Sequence, residues 1–208
     1  MNDPAAQKLI PAPHGGLEAI YRPRRDDATE IALLLHPHPQ YGGNMHNKVV
    51  FRSAKALEEV GFETLRFNFR GVGASTGRYD DGRGEVDDAA AALEFLRAAQ
   101  PAARRCVLLG FSFGAGIALA LEARRSDVDA VIAIGTPAYA LTLPSAAETA
   151  RHTTFIHGEE DAVAPLAAVR STLSALGLDA NLVVIPGADH FFTVHLSELH
   201  EAVRKASL

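Results

Sequence analysis

Residues 106–122 decide the fold of this chain, and they read CVLLGFSFGAGIALALE. The apolar run at 106–109 is typical of a buried strand, and the small, apolar segment at the end is helix-forming. Between them lies Gly110-Phe111-Ser112-Phe113-Gly114, a Gly-x-Ser-x-Gly pentapeptide. A strand, a sharp turn and a helix in that order form an elbow, which strains the serine backbone and exposes its hydroxyl at the carboxyl end of a sheet. The glycines are therefore steric requirements, and Ser112 is the candidate nucleophile.

A second Gly-x-Ser-x-Gly match, Gly73-Ala74-Ser75-Thr76-Gly77, has a different setting. It follows Gly71 and runs into Arg78-Tyr79-Asp80-Asp81-Gly82, so loop residues flank it on both sides. We interpret Ser75 as a turn residue. The pentapeptide alone is a weak signal, and its weight at Ser112 comes from residues elsewhere in the chain.

The composition is that of an ordinary globular protein. The 208 residues are 48% hydrophobic and 22% charged, which suits a single domain over residues 1–208 with a substantial core. A net charge of −5 without a long basic run argues against a nucleic-acid partner. The start of the chain lacks the layout of a secretion signal, and no apolar stretch is long enough to span a bilayer. We therefore expect a cytoplasmic protein with no membrane partner.

The sequence contains a single cysteine, Cys106, so an intramolecular disulfide is impossible. Its place at the head of an apolar run favours a small buried residue over a reactive thiol.

Short apolar runs rich in β-branched and aromatic residues alternate with longer helical patterns. This alternation predicts the α/β class, with a mainly parallel central sheet of about seven strands flanked by helices. The predicted strands are Leu17–Arg22, Ile31–His36, Glu63–Phe69, Cys106–Phe111, Ala130–Gly135, Thr154–His157 and Asn181–Ile185. The predicted helices are Asn47–Val60, Glu85–Ala99, Phe113–Arg124, Ala167–Leu176 and His195–Lys205.

An acid and a histidine follow the last two predicted strands. Asp161 lies just past Thr154–His157, and His190 lies past Asn181–Ile185. Because the carboxyl ends of parallel strands meet at one edge of a sheet, we expect both side chains near Ser112. A serine hydroxyl becomes nucleophilic when a neutral imidazole accepts its proton, and a carboxylate must fix the tautomer of that imidazole.

Three other acids compete with Asp161 for the carboxylate role. Glu159 and Glu160 come too early in the turn to be preferred. Asp189 adjoins His190 in sequence, which is a poor arrangement for reaching the far nitrogen of that ring.

Negative charge that develops on a carbonyl oxygen is stabilised by two backbone N–H donors, which form an oxyanion hole. Phe113, directly after the elbow serine, supplies one donor. The other is expected in the loop His36-Pro37-His38-Pro39-Gln40, which follows a predicted strand. Because proline has no N–H, elimination leaves His38 as the donor and Gln40 as the second choice.

As a set, these motifs resemble the α/β-hydrolase superfamily, and more narrowly its small, lidless bacterial serine hydrolases related to dienelactone hydrolases. The resemblance covers about residues 31–200. It rests on Gly110–Gly114, His36-Pro37-His38-Pro39 with Gly42-Gly43-Asn44, Asn68-Phe69-Arg70-Gly71-Val72-Gly73, His157-Gly158-Glu159-Glu160-Asp161 and Gly187-Ala188-Asp189-His190-Phe191-Phe192. It implies that Ser112 is the nucleophile, Asp161 the orienting acid and His190 the general base. Members with a His-Gly start to the oxyanion loop have glycine where this chain has Pro37.

Two further clusters have simpler interpretations. His36, His38 and His46 could suggest a metal site, but no acidic residue accompanies them, so no metal is expected. The segment Gly71-Val72-Gly73 begins like a nucleotide-binding motif, but the third glycine is absent from position 76.

Arg70 in the same loop is expected to pair with Glu85 or Asp88 at the start of the next helix and to support the loops around the site.

Superfamily members that take long acyl chains commonly insert a helical lid after the strand that follows the nucleophile helix. The interval from Thr136 to about Thr153, which includes Leu143 and Pro144, is too short for one. We expect an open, shallow site that hydrolyses a small-molecule ester through an acyl-serine intermediate, without a cofactor and with acyl groups of about two to six carbons. The expected wall residues are Tyr41, Phe111, Tyr139 and Phe191. Acyl transfer or peptide hydrolysis on the same residues, and a non-catalytic binding protein of this fold, are the alternatives.

Overall fold

The computed structural model describes residues 6–23, 29–142, 152–178 and 181–208. Within these ranges eight strands form one sheet: β1 Ala6–Ala12, β2 Gly15–Arg22, β3 Glu30–Leu35, β4 Glu63–Phe67, β5 Arg105–Phe111, β6 Ala130–Ile134, β7 Thr153–Gly158 and β8 Leu182–Ile185. The α-helices of these ranges are α1 Lys48–Glu59, α2 Arg83–Ala99, α3 Phe113–Glu122, α4 Leu166–Ala175 and α5 Leu196–Ala206. Short 3-10 helices lie at Pro39–Tyr41 and Ala138–Thr142.

The strands are ordered β1-β2-β4-β3-β5-β6-β7-β8 across the sheet. Strands β3 to β8 run parallel to one another, and β1 and β2 form an antiparallel extension at one edge. The carboxyl ends of the parallel strands therefore share one edge of the sheet, where ligand sites of open α/β folds lie.

Helices cover both faces of the sheet, which explains why its central strands are apolar at almost every position. On β5, Cys106 and Leu108 belong to the core beneath α2 and α3. Val107, Leu109 and Phe111 belong to the opposite core beneath α1 and α5. The alternation along β5 thus places consecutive side chains in two different cores.

The predicted α/β class and mainly parallel sheet are confirmed. All seven predicted strands and all five predicted helices are present, with ends shifted by at most two residues. One further strand, β1, is present that the sequence did not predict. It lies at the edge of the sheet and contains Pro11, which is tolerated there because an edge strand need not use every N–H.

In the described part of the chain, no helix is long and apolar enough to span a bilayer. The interval considered for a lid falls partly outside the described residues, because residues 143–151, with Leu143 and Pro144, are among those not described.

Candidate active site

The elbow between β5 and α3 holds Ser112 at φ 55° and ψ −116°, a backbone conformation that residues other than glycine rarely adopt. A Cβ atom at Gly110 would lie 2.2 Å from the carbonyl oxygen of Gly114. A Cβ atom at Gly114 would lie 2.4 Å from the carbonyl oxygen of Leu35 on the neighbouring strand. Both glycines are therefore required by the close approach of backbone, as the pentapeptide predicted.

The structure brings Ser112, His190 and Asp161 together in one hydrogen-bonded chain. His190 Nε2 lies 3.1 Å from Ser112 Oγ, and His190 Nδ1 lies 2.6 Å from Asp161 Oδ2. All three residues are buried, with exposures of 9% for Ser112 and 4% for each of the others. An ionised Asp161 requires the proton on Nδ1, which leaves Nε2 free to accept the serine proton.

Backbone donors fix the orientation of the Asp161 carboxylate. Its Oδ1 accepts hydrogen bonds from the N–H groups of Val163 at 2.9 Å and Ala164 at 2.7 Å. His157 Nε2 donates to the carbonyl oxygen of Ala164 at 2.7 Å and lies 3.4 Å from Asp161 Oδ2. Burial lowers the pKa of His157, so its neutral ring donates the hydrogen bond that holds the loop after Asp161 in place.

The three competing acids point elsewhere or make other contacts. Glu159 accepts a hydrogen bond from the N–H of Gly187, and Asp189 accepts from the N–H and hydroxyl of Thr193. Glu160 is exposed. Among the four candidate acids, Asp161 alone has a hydrogen bond to His190 in the described ranges.

The His190 ring is held between aromatic side chains. Phe111 lies beneath it with ring centroids 5.1 Å apart, and Phe191 meets it edge-on at 5.1 Å. Gly135, at φ 55°, leaves the space that the ring needs, because a Cβ atom there would lie 3.1 Å from His190 Cε1.

The oxyanion donors proposed from the sequence, His38 and Phe113, both lie next to Ser112. Within the described ranges, neither backbone N–H makes a hydrogen bond. The His38 carbonyl accepts from the N–H groups of Tyr41 at 3.1 Å and Gly43 at 3.0 Å, which fixes the peptide. The Gln40 N–H donates to His38 Nδ1 at 3.2 Å, so the second-choice donor already has a partner.

Two cavities flank His38. The first, about 370 Å³ in volume, contains Ser112 and His190 and has Tyr41, Val163 and Phe191 in its walls. The second, about 340 Å³ in volume, lies along the outer face of α3. His38 lines both, and its ring contacts Tyr41 of the first cavity and Tyr79 and Phe113 of the second.

The residues expected to line the substrate site are divided between the two cavities. Tyr41 and Phe191 line the Ser112 cavity, whereas Tyr139 lines the cavity along α3. The expectation for Phe111 was wrong, because its side chain is fully buried beneath His190 and reaches neither cavity. Side chains alternate along β5, so Phe111 points to the same face as Val107 and Leu109, into the core under α1 and α5.

The loop after β4 is tied to α2 by a buried ion pair. The Arg70 guanidinium donates to both oxygens of Asp88 at 2.7–3.1 Å, and the Arg70 N–H donates to the same carboxylate at 2.9 Å. Of the two predicted partners, Asp88 is the one observed. Glu85 instead accepts from the N–H groups of Asp80 and Gly82 at the start of α2.

Ser75 in this loop has structural hydrogen bonds, which agrees with its interpretation as a turn residue. Its hydroxyl donates to the Asn68 carbonyl at 2.6 Å and accepts from the Glu18 N–H at 2.9 Å.

His36 and Cys106 are buried and have no role in the site. His36 Nε2 accepts from the Phe69 N–H at 3.0 Å, so Nδ1 carries the proton and donates to the Pro37 carbonyl at 2.6 Å. Burial lowers the pKa of His36 to about 4 and raises that of the Cys106 thiol to about 12. In the parts of the chain that the structure describes, no group of three histidine, cysteine or acidic residues is arranged to hold a metal ion.

The sequence pattern did not predict the contact of His157 with the Asp161 loop or that of Tyr79 with His38. His157 precedes Asp161 in the chain and Tyr79 lies in the loop before α2, but the sequence around them does not indicate either partner. The Tyr79 hydroxyl lies 3.1 Å from His38 Nε2, across 41 residues of sequence.

Comparisons with known proteins show the family of this chain. A family model for the alpha/beta hydrolase fold matches residues 33–154. The chain belongs to the α/β-hydrolase family. An uncharacterised protein of Rickettsia prowazekii is 38% identical over 199 residues, which cover 92% of this chain and 84% of that protein.

Two solved structures are also similar. A serine hydrolase without a lid from Xanthomonas campestris shares 33% identity and a TM-score of 0.87, over 99% of this chain and 94% of that one. An alpha-beta serine hydrolase homologue from Coxiella burnetii shares 36% identity and a TM-score of 0.86, over 96% of each chain. The narrower relation to dienelactone hydrolases stays a prediction.

Proposed function

We propose that this protein is a serine hydrolase that cleaves esters of short carboxylic acids through an acyl-serine intermediate on Ser112. The observation that carries the proposal is the hydrogen-bonded chain from Asp161 through His190 to Ser112, which lies beside two backbone N–H groups that have no partner among the described residues. Nothing structural demands a strained serine at this position, and strain of this kind is concentrated at functional sites.

In the proposed reaction each group has a defined task. Ser112 Oγ attacks the ester carbonyl while His190 Nε2 takes its proton, and Asp161 stabilises the resulting imidazolium. The negative oxygen is stabilised by the N–H groups of Phe113 and His38. His190 then protonates the departing alcohol, which leaves an acyl-serine, and a water molecule activated by His190 releases the acid by the reverse sequence.

The size and openness of the Ser112 cavity support a small substrate and hydrolysis over acyl transfer. The cavity, with a volume of about 370 Å³, is at the small end of the range for ligand sites, so burial rewards only a limited acyl length there. Tyr41, 87% exposed, and Phe191, 45% exposed, stand at its mouth, which gives water direct access to an acyl-serine.

The two serine pentapeptides provide a matched test. Ser112→Ala should lower kcat for p-nitrophenyl butyrate by about 10⁴-fold or more while the melting temperature stays near that of the native protein. Ser75→Ala should lose some stability with its two hydrogen bonds and retain kcat. If Ser75→Ala abolishes turnover and a folded Ser112→Ala retains it, the nucleophile assignment is wrong.

A further inference from the structure

His38 lines both the cavity that contains Ser112 and the cavity along α3, and its ring contacts aromatic residues of each. The first cavity holds the reacting groups, and the second follows the outer face of α3. The second includes the apolar side chains of Val86, Phe113, Ile117 and Ala120 in its lining, together with the charged residues Asp81, Arg83 and Arg124. Its volume of about 340 Å³ lies within the range of small-molecule sites.

Two hydrogen bonds and three aromatic contacts hold the His38 ring in place. His38 Nδ1 accepts from the Gln40 N–H, so Nε2 carries the proton and donates to the Tyr79 hydroxyl at 3.1 Å. The ring centroid lies 4.8–5.0 Å from those of Tyr41, Tyr79 and Phe113. The ring is thus held by side chains and not by the backbone alone.

The proposed chemistry determines which part of the substrate faces His38. His190 must protonate the leaving alcohol, so the alcohol lies on the His190 side of the reacting carbon. The carbonyl oxygen lies between the N–H groups of Phe113 and His38. The acyl chain is thus left to extend away from His190, and an acyl chain that passes His38 on that side enters the cavity along α3.

We propose that the His38 side chain is the end wall of the acyl pocket and sets its chain-length limit, and that the cavity along α3 is a latent subsite for longer, apolar acyl chains. The inference rests on the proposed function. Between Phe113 and Ala120 the helix rises about 10 Å, which gives an apolar surface that several methylene groups can cover.

The test is the acyl-chain profile of His38→Ala, measured with p-nitrophenyl esters from acetate to dodecanoate. Alanine keeps the backbone N–H at position 38 and removes the wall. Each methylene that becomes buried is worth roughly fourfold in kcat/KM. The ratio of kcat/KM for octanoate to that for butyrate should rise at least tenfold, whatever the change in the absolute rate.

A second variant covers the case in which His38→Ala does not fold. Tyr79→Phe keeps the ring of residue 79 and removes one of the two hydrogen bonds on the His38 imidazole. The same ratio should rise, by a smaller factor.

Filling the latent subsite should cancel the gain. Ala120 is half-buried in that cavity, whereas Ala98 is exposed near the end of α2 and lines neither cavity. Adding Ala120→Phe to His38→Ala should return the ratio to the wild-type value, and adding Ala98→Phe should not.

The outcomes separate this inference from the proposed function. If the wild type neither hydrolyses short esters nor forms an adduct on Ser112, the proposed function fails. If the wild type hydrolyses them but folded His38→Ala and Tyr79→Phe keep its chain-length ratio, the wall inference alone is overturned. A rise in the ratio that survives Ala120→Phe would likewise overturn the assignment of the subsite.

Discussion

Replacing Asp161 with asparagine should abolish catalysis and leave the fold intact, because the surroundings determine which way the new amide turns. Oδ1 accepts two backbone N–H groups, from Val163 and Ala164, so the amide oxygen must take that place. The NH₂ group then faces His190 Nδ1, 2.6 Å from Oδ2 in the native site. Nδ1 must become an acceptor, and the imidazole proton moves to Nε2.

A histidine with its proton on Nε2 cannot accept the proton of Ser112. The opposite amide orientation would place an NH₂ group against two buried N–H donors, at a cost of about 1–3 kcal/mol for each unsatisfied group. At about 2 kcal/mol or more in total, fewer than roughly one molecule in twenty would hold the productive arrangement. A triad with the wrong tautomer loses about 10⁴-fold in kcat, and that is the expected effect here.

The assay is kcat on p-nitrophenyl butyrate together with the melting temperature of each variant. Asp189→Asn is the matched control, because Asp189 adjoins His190 in sequence but its carboxylate accepts from Thr193 within its own loop. Its kcat should stay within a few-fold of the wild type. An Asp161→Asn protein that is folded and keeps more than a tenth of the wild-type kcat would refute the reasoning, and so would a large loss in Asp189→Asn.

Three further predictions follow from buried groups. Arg70→Ala removes the guanidinium that pairs with the fully buried Asp88 and leaves this carboxylate, among the described residues, only the backbone N–H of residue 70 and His14 Nδ1 at 3.4 Å, so the free energy of unfolding should fall by about 3 kcal/mol; calorimetry should show part of it restored by adding Asp88→Asn, and an unchanged melting temperature would contradict the reasoning. His36 has its pKa lowered by burial to about 4, so the unfolded chain binds a proton first as pH falls. Stability should therefore drop between about pH 6.5 and pH 4, by up to about 3 kcal/mol from this group, and denaturant titrations should show a flatter acid limb in His36→Gln. Gly135→Ala should lower kcat with little change in KM, because its Cβ would press on His190 Cε1 at 3.1 Å; unaltered kinetics in a folded variant would show that the ring has room to move.

The sequence was most informative where backbone geometry alone decides the outcome. The elbow glycines, the alternation of strands and helices and the convergence of Asp161 and His190 follow from sterics and from the shared direction of parallel strands. Strand β1 was missed because an edge strand needs few apolar residues, and Ile10 is a fully buried residue that anchors it.

The sequence pattern could not predict how side chains from distant segments pack against one another. The register of β5 places Phe111 in the core under α1 and α5, but which of two apolar faces supports His190 depends on how the later loops fold. The separation of Tyr41 from Tyr139 by the His38 ring likewise depends on a contact with Tyr79 from another loop. No local spacing encodes such a contact.

The most direct test of the central claim is to treat the native protein with a fluorophosphonate and locate the adduct by mass spectrometry. The structure predicts one adduct per chain, on Ser112, because this hydroxyl is bonded to His190, which can take its proton, and lies in the strained elbow. Labelling should vanish in Ser112→Ala and persist in Ser75→Ala. A folded wild-type protein that takes up no label, or takes it up at Ser75, would contradict the account.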